Sequence, residues 1–172
     1  MRDGDRIFTT KPGLVLRPAR LEDEDLLFRI FVASKATDFD DMPLPQAQKD
    51  FLLKQQHVSQ IYNWQALYPT MEQWIIESDG EPVGRLIFSI LPDQIVLNDL
   101  AMLPGKIAVG GGKTVIRDVI FAEATRSGKI ARASVAPLNR ARKLYARLGV
   151  TELPPTGTSP MVSLEWRPPA LR

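Results

Sequence analysis

Residues 95–128, IVLNDLAMLPGKIAVGGGKTVIRDVIFAEATRSG, decide how the chain is read. Ile95 to Met102 is an apolar, β-branched run, which predicts a strand covered on both faces and central in a sheet. Pro104 closes it and a glycine-rich loop follows. Val115, Ile116, Val119, Ile120 and Ala124 then recur at helical spacing, and Gly128 is placed to stop the helix. The segment is therefore strand, glycine loop, helix. Without Cβ atoms the backbone of such a turn lets a phosphate approach, and the free N–H groups of the helix start point at it. Taken alone, Gly110-Gly111-Gly112 is equally well a tight connection.

Three glycine patterns compete for this turn. Gly112-Lys113-Thr114 matches the end of the nucleotide P-loop, but the first glycine of that pattern would fall at Ile107. The dinucleotide pattern G-x-G-x-x-G, begun at Gly110, asks for glycine where Val115 stands and for an early βαβ unit. Both fail on these residues. In the third, Pro104 precedes Gly110 by six residues and Gly112 by eight, a proline-ended strand followed by a spaced glycine pair.

Upstream, Ser78-Asp79-Gly80-Glu81-Pro82 joins two strand-like runs, 73–77 and 83–90, as a tight hairpin. Leu14 to Pro18 is a short strand. Behind it the carboxylates 22–25 oppose the positive end of a helix carrying Leu26, Leu27, Ile30 and Phe31. Residues 37–47, with Asp38, Asp40, Asp41, Pro43 and Pro45, read as a loop, and a second helix covers 46–63. His57 within it reads as a solvated or core-satisfied histidine. On the other side, 131–135 is a strand. Pro137-Leu138-Asn139 opens a helix with Ala141, Leu144, Tyr145 and Leu148 on one face, ending at Gly149. Val162 to Trp166 alternates as a last strand, expected at an edge where a second copy could pair and give a homodimer.

The chain has 172 residues, which fits a single domain over 1–172. With no cysteine and one histidine, thiolate metal sites, a cysteine nucleophile and a Ser/His/Asp relay are all disfavoured, and no metal is expected. No run approaches the roughly 20 apolar residues of a membrane span, so a cytoplasmic protein is expected. A net charge of +2 does not make nucleic acid a default partner. It hides a division: residues 1–100 hold 10 Lys/Arg against 16 Asp/Glu, residues 101–172 hold 12 against 4. An anionic ligand should meet the second half.

The proline-and-glycine spacing resembles the acyl-CoA loop of the GNAT superfamily of N-acetyltransferases, R/Q-x-x-G-x-G/A. Residues 135–149, VAPLNRARKLYARLG, are similar to the strand and helix that follow in that family, with its N-x-x-A-x-x-L-Y-x-x-x-G signature, and 14–19, LVLRPA, to its first strand. The resemblance spans about 14–166. One departure is plain: Ile107 stands where the family has Arg or Gln beside the pyrophosphate, and Lys106 or Lys113 would have to supply the charge.

The resemblance implies an α/β (α+β) fold with a mixed central sheet, elements in the order β-α-α-β-β-β-α-β-α-β, and a splayed pair of parallel strands, here 95–102 and 131–136. It implies a transferase that passes an acetyl group from acetyl-CoA to the primary amine of a small molecule or a protein, by direct attack in a ternary complex. The alternative is a non-catalytic acyl-CoA- or partner-binding module of the same fold. By the same resemblance, backbone groups of Ala101, Met102 and Leu103 would meet the pantetheine arm, and Ile107, Ala108, Val109, Gly110, Gly111, Gly112 and Lys113 the pyrophosphate. Asn139 would touch the pantetheine arm, though it also suits a helix cap. Tyr145 would protonate the leaving thiolate; its bland reading is a core aromatic. Asp99 is the candidate base, set by strand alternation on one face with Ala101; it reads equally as a buried structural carboxylate.

Overall fold

A computed structural model describes residues 2–3, 5–39, 43–105, 110–155 and 157–171. The strands are β1 (Arg2–Asp3), β2 (Arg6–Phe8), β3 (Leu14–Pro18), β4 (Met71–Ser78), β5 (Glu81–Ile90), β6 (Gln94–Met102), β7 (Ile130–Val135), β8 (Thr151–Glu152) and β9 (Val162–Trp166). They form one mixed sheet in the order β1-β2-β3-β4-β5-β6-β7-β9-β8. Every neighbouring pair is antiparallel except β6 with β7. Helices α1 (Glu24–Phe39) and α2 (Gln46–Leu67) connect β3 to β4. Between β6 and β7, α3 (Gly111–Val115), a π-helical turn (Ile116–Phe121) and α4 (Ala122–Ser127) run on as one helix, and α5 (Ala141–Arg147) precedes β8.

Local chemistry accounts for the joints. Asp79 and Gly80, with φ of 52° and 84°, supply the two positive angles that a type I′ turn needs between β4 and β5. Before α1, Asp23 accepts hydrogen bonds from Arg17 Nη1 at 2.7 Å, Arg17 Nη2 at 2.8 Å and the Arg20 N–H at 2.8 Å. The Arg17 guanidinium holds that carboxyl below the usual carboxylate range. Arg17 Nε also reaches Glu77 Oε1 at 2.8 Å, so one arginine ties β3, β4 and the start of α1 together.

The sheet buries both faces. Leu86, Phe88, Ile95 and Leu97 pack with Val115, Ile116, Val119, Ile120 and Phe121, and the Phe121 ring stacks on Trp166 with centroids 4.1 Å apart. Opposite, Phe31 of α1 and Leu53 of α2 make a smaller core. Within β6 one residue breaks the strand alternation. The β5–β6 register steps from Phe88↔Leu97 to Ile87↔Asp99, leaving Asn98 as an extra residue in β6. Leu100 and Met102 consequently join Ile95 and Leu97 on the larger core, while Asp99 and Ala101 turn to the other face.

Several boundaries differ from the sequence reading. α1 continues to Phe39, into the expected loop, and α2 continues to Leu67. Asp40 and Asp41 lie outside the described residues. Asn139 precedes a helix that starts only at Ala141. Strand 162–166 is no edge: β9 lies between β7 and β8, paired over Ala131–Val135 on one side and Thr151–Glu152 on the other. β1, β2 and β8 have too few residues for periodicity to register.

Candidate functional site

The sheet opens at one place. β6 and β7 pair from Gln94↔Ile130 to Leu97↔Ala133 and no further. Past that rung β7 continues only with β9, and β6 only with β5 up to Gly84↔Met102. The Leu103 N–H donates to the Val83 carbonyl at 2.8 Å. Counting back along an antiparallel ladder, the backbone groups of Leu103 and Ala101 are turned to β5 and those of Met102 and Leu100 to the gap. Of the three residues predicted to offer backbone contacts, Met102 faces the opening, and Leu100 joins it.

Gly84 makes the close strand approach possible: an added Cβ would lie 2.5 Å from the Ala101 carbonyl oxygen and 2.8 Å from Met102 Sδ. Above the opening stands the start of the helix, with Gly110 at φ 87° as its cap and open space where a Cβ would sit. A Cβ on Gly112 would be 3.9 Å from Leu100, so the helix start borders the gap. Gly111, Gly112 and Lys113 occupy the positions whose N–H groups have no intrahelical acceptor. Lys106, Ile107, Ala108 and Val109 lie outside the described residues.

Tyr145 sits on the inner face of α5, 8% exposed, against the larger core. Burial, aided by the charge of Asp99, pushes its hydroxyl up to about 12. Asn139 Oδ1 accepts the Ala141 N–H at 2.8 Å, a turn just ahead of the helix whose cap position is held by Arg140 without a side-chain hydrogen bond. Asp99 accepts a 2.7 Å hydrogen bond from Nε of Arg85, a side chain 1% exposed. Sequence reasoning missed Arg85; a lone charge inside the apolar run 83–90 was the available signal.

A larger space lies on the α1–α2 face. It is a cavity of about 880 Å³ whose wall includes Leu27, Phe28, Val58, Tyr62 and Met71, with Glu24, Asp25 and Lys54 also along it. His57 lines it too, its ring centroid 5.0 Å from that of Phe31 and 5.7 Å from that of Phe28. Burial, helped by the charge of Arg85, lowers His57 to about 4, so the imidazole is neutral near pH 7. Among the described residues no group of three or more His, Asp or Glu is placed to hold a metal ion. Among them, too, no helix is long and apolar enough to cross a membrane.

The comparisons with known proteins agree with this geometry. No curated protein sequence matches the chain. Among solved structures, the PaiA N-acetyltransferase from Thermoplasma acidophilum, in complex with coenzyme A, superposes with a TM-score of 0.63 at 16% identity, over 90% of this chain and 98% of that one. An acetyltransferase from Thermus thermophilus gives 0.60 at 20% identity, over 92% and 97%. The Salmonella typhimurium acetyl transferase that modifies the N-terminal serine of ribosomal protein L7/L12 gives 0.55 at 16%, over 90% and 93%. At such identities the likeness is one of fold. The model of the acetyltransferase (GNAT) family matches residues 37–150, and the chain belongs to that family.

Proposed function

We propose that the chain, as one domain over residues 1–172, is an acyl-CoA-dependent N-acetyltransferase that passes the acetyl group of acetyl-CoA directly to a primary amine of a small molecule or a protein. The observation that carries this reading is the parting of β6 from β7 after Leu97↔Ala133, beside a helix that begins on glycines. A pantetheine arm is a chain of amides, and the unpaired backbone of Leu100 and Met102 offers it a strand's hydrogen bonds. The N–H groups of Gly111, Gly112 and Lys113 then suit the pyrophosphate, with the Lys113 ammonium in reserve. Ile107, Ala108 and Val109 belong to the same proposed loop.

In this reading the amine nitrogen attacks the thioester carbonyl, the C–S bond breaks, and the departing sulfur takes a hydrogen bond and then a proton from the Tyr145 hydroxyl. Before attack the acceptor ammonium gives one proton to Asp99 or water, which frees the nitrogen lone pair, and as the amide forms a second proton leaves that nitrogen and, through solvent, restores the Tyr145 hydroxyl. Tyr145 is a weak acid at about 12, so it enters the reaction protonated throughout the physiological range. Bringing two bound reactants together supplies much of the rate, and no covalent enzyme intermediate is needed. Calorimetry and thermal melting with acetyl-CoA test the reading. Saturable binding that raises the melting temperature is expected. No heat and no shift at millimolar acetyl-CoA would sink it.

A further inference from the structure

Among the described residues one arginine, Arg85, is buried where an apolar side chain would pack. Arg85 points from β5 toward α1, with its guanidinium carbon 5.7 Å from the centre of the Phe31 ring and Nη1 3.4 Å from the Leu27 carbonyl oxygen. Its sole carboxylate partner among the described residues is Asp99, bonded through Oδ2 at 2.7 Å. Withdrawing a guanidinium from water carries a penalty that a single carboxylate repays only in part, so stability alone explains the pair poorly.

The two ends of the pair differ. Arg85 is enclosed, whereas the Asp99 side chain is 25% exposed. Asp99 lies just past the last rung shared with β7, on the face to which the extra residue Asn98 turns it. Oδ2 is committed to Arg85 and Oδ1 accepts no hydrogen bond from the described residues. The charges of the pair also reach two further side chains. His57, on the cavity wall, feels the Arg85 charge, and Tyr145 feels the Asp99 charge.

We infer that Arg85 is a positioning residue: by clamping one oxygen of Asp99 it fixes the carboxylate at the sheet opening, with the other oxygen left to meet the acceptor's ammonium. This rests on the acetyltransferase reading above. A fixed carboxylate beside the thioester selects a cationic primary amine and orients it for attack. A free aspartate would spread over several rotamers and lose that geometry.

The test compares Arg85→Met, Arg85→Lys, Asp99→Asn and the double variant Arg85→Met/Asp99→Asn. Acetyl-CoA affinity is measured by calorimetry, and kcat and KM with spermidine and with the peptide Ser-Gly-Gly-Gly. Arg85→Met should lower kcat on the better amine about 10- to 100-fold with acetyl-CoA affinity unchanged, and Arg85→Lys should recover part of the loss. The double variant should be no slower than Asp99→Asn alone, because Arg85 acts through that carboxylate. If Arg85→Met does not fold, the Lys variant carries the comparison, with a kcat loss of severalfold expected. Wild-type turnover with either Arg85 variant unimpaired, or a double variant showing the product of two separate losses, overturns the inference alone. Failure of the wild-type protein to bind acetyl-CoA overturns the function and the inference together. If it binds acetyl-CoA but acetylates neither amine, ultraviolet titration of Tyr145 decides. Asp99→Asn should lower that titration, and a Tyr145 indifferent to it removes the pair from the site.

Discussion

Replacing Tyr145 with phenylalanine separates the chemistry of that side chain from its packing. The ring is 8% exposed and belongs to the larger core, yet its hydroxyl makes no hydrogen bond to the described residues. Removing the oxygen leaves the ring contacts in place, so at pH 7 the variant should be as stable as the wild type. Alkali should distinguish them. The phenol ionises near 10.0 when unfolded and near 12 in the folded protein. Folding therefore tightens its hold on the proton, and the associated stability is complete below pH 10 and lost as pH rises toward 12. At about 1.4 kcal/mol for each tenfold change in proton affinity, that loss amounts to about 3 kcal/mol. Urea unfolding at pH 8 and pH 11.5 should show the wild type losing about 2 kcal/mol more stability than Tyr145→Phe, because at pH 11.5 the folded phenol is still mostly protonated. Turnover should fall about 100-fold, a usual contribution for a positioned proton donor, with the affinity for acetyl-CoA preserved. Equal alkaline losses would refute the burial argument, and unchanged turnover would remove Tyr145 from the reaction.

Three further outcomes follow from the geometry. Asp23→Ala strips Arg17 of its paired acceptor and should cost about 3 kcal/mol in urea unfolding at pH 7. Because that carboxyl is depressed in the folded state, its contribution is present above its unfolded value near 3.9 and fades as pH falls through the folded one, so wild type and variant should converge in strong acid. Gly84→Ala drives a methyl into the Ala101 carbonyl and should both destabilise the fold by about 1–3 kcal/mol and weaken acetyl-CoA binding, read by melting and calorimetry. His57→Phe should flatten the acid side of the stability curve: a histidine held neutral down to about 4 makes the wild type lose stability between pH 6.5 and 4.

Much of this was legible in the residues because the signals are local. The glycine turn, the Asp-Gly hairpin and the helix stop at Gly128 are each written in backbone chemistry at one position, and the structure has them where the sequence puts them. What escaped is non-local. Whether Asn98 is one residue of a regular strand or an extra one depends on the partner strand's register, which no pattern in β6 alone contains. The choice of Leu100 over Ala101 as a gap-facing residue follows from that same ladder. Arg85 was visible as a charge in an apolar run, but its partner 14 residues away was not. The π-helical turn at Ile116–Phe121 left no trace in the spacing; in the structure Asp118 within it accepts both the N–H and the hydroxyl of Thr10 at 2.6 Å, joining the helix to the N-terminal strands.

The four rungs between β6 and β7 divide the protein mechanically. Below Leu97 the sheet is continuous, and a displacement on one side is carried to the other by hydrogen bonds. Above it, β1 to β6 and β7 to β9 are two plates hinged at a common line. A linear amide that entered the gap would serve as a temporary strand, completing the ladder at Leu100 and Met102 and welding the plates. Amide hydrogen exchange would register the weld as protection gained at Leu100 and Met102, with the rungs 94–97 already protected beforehand.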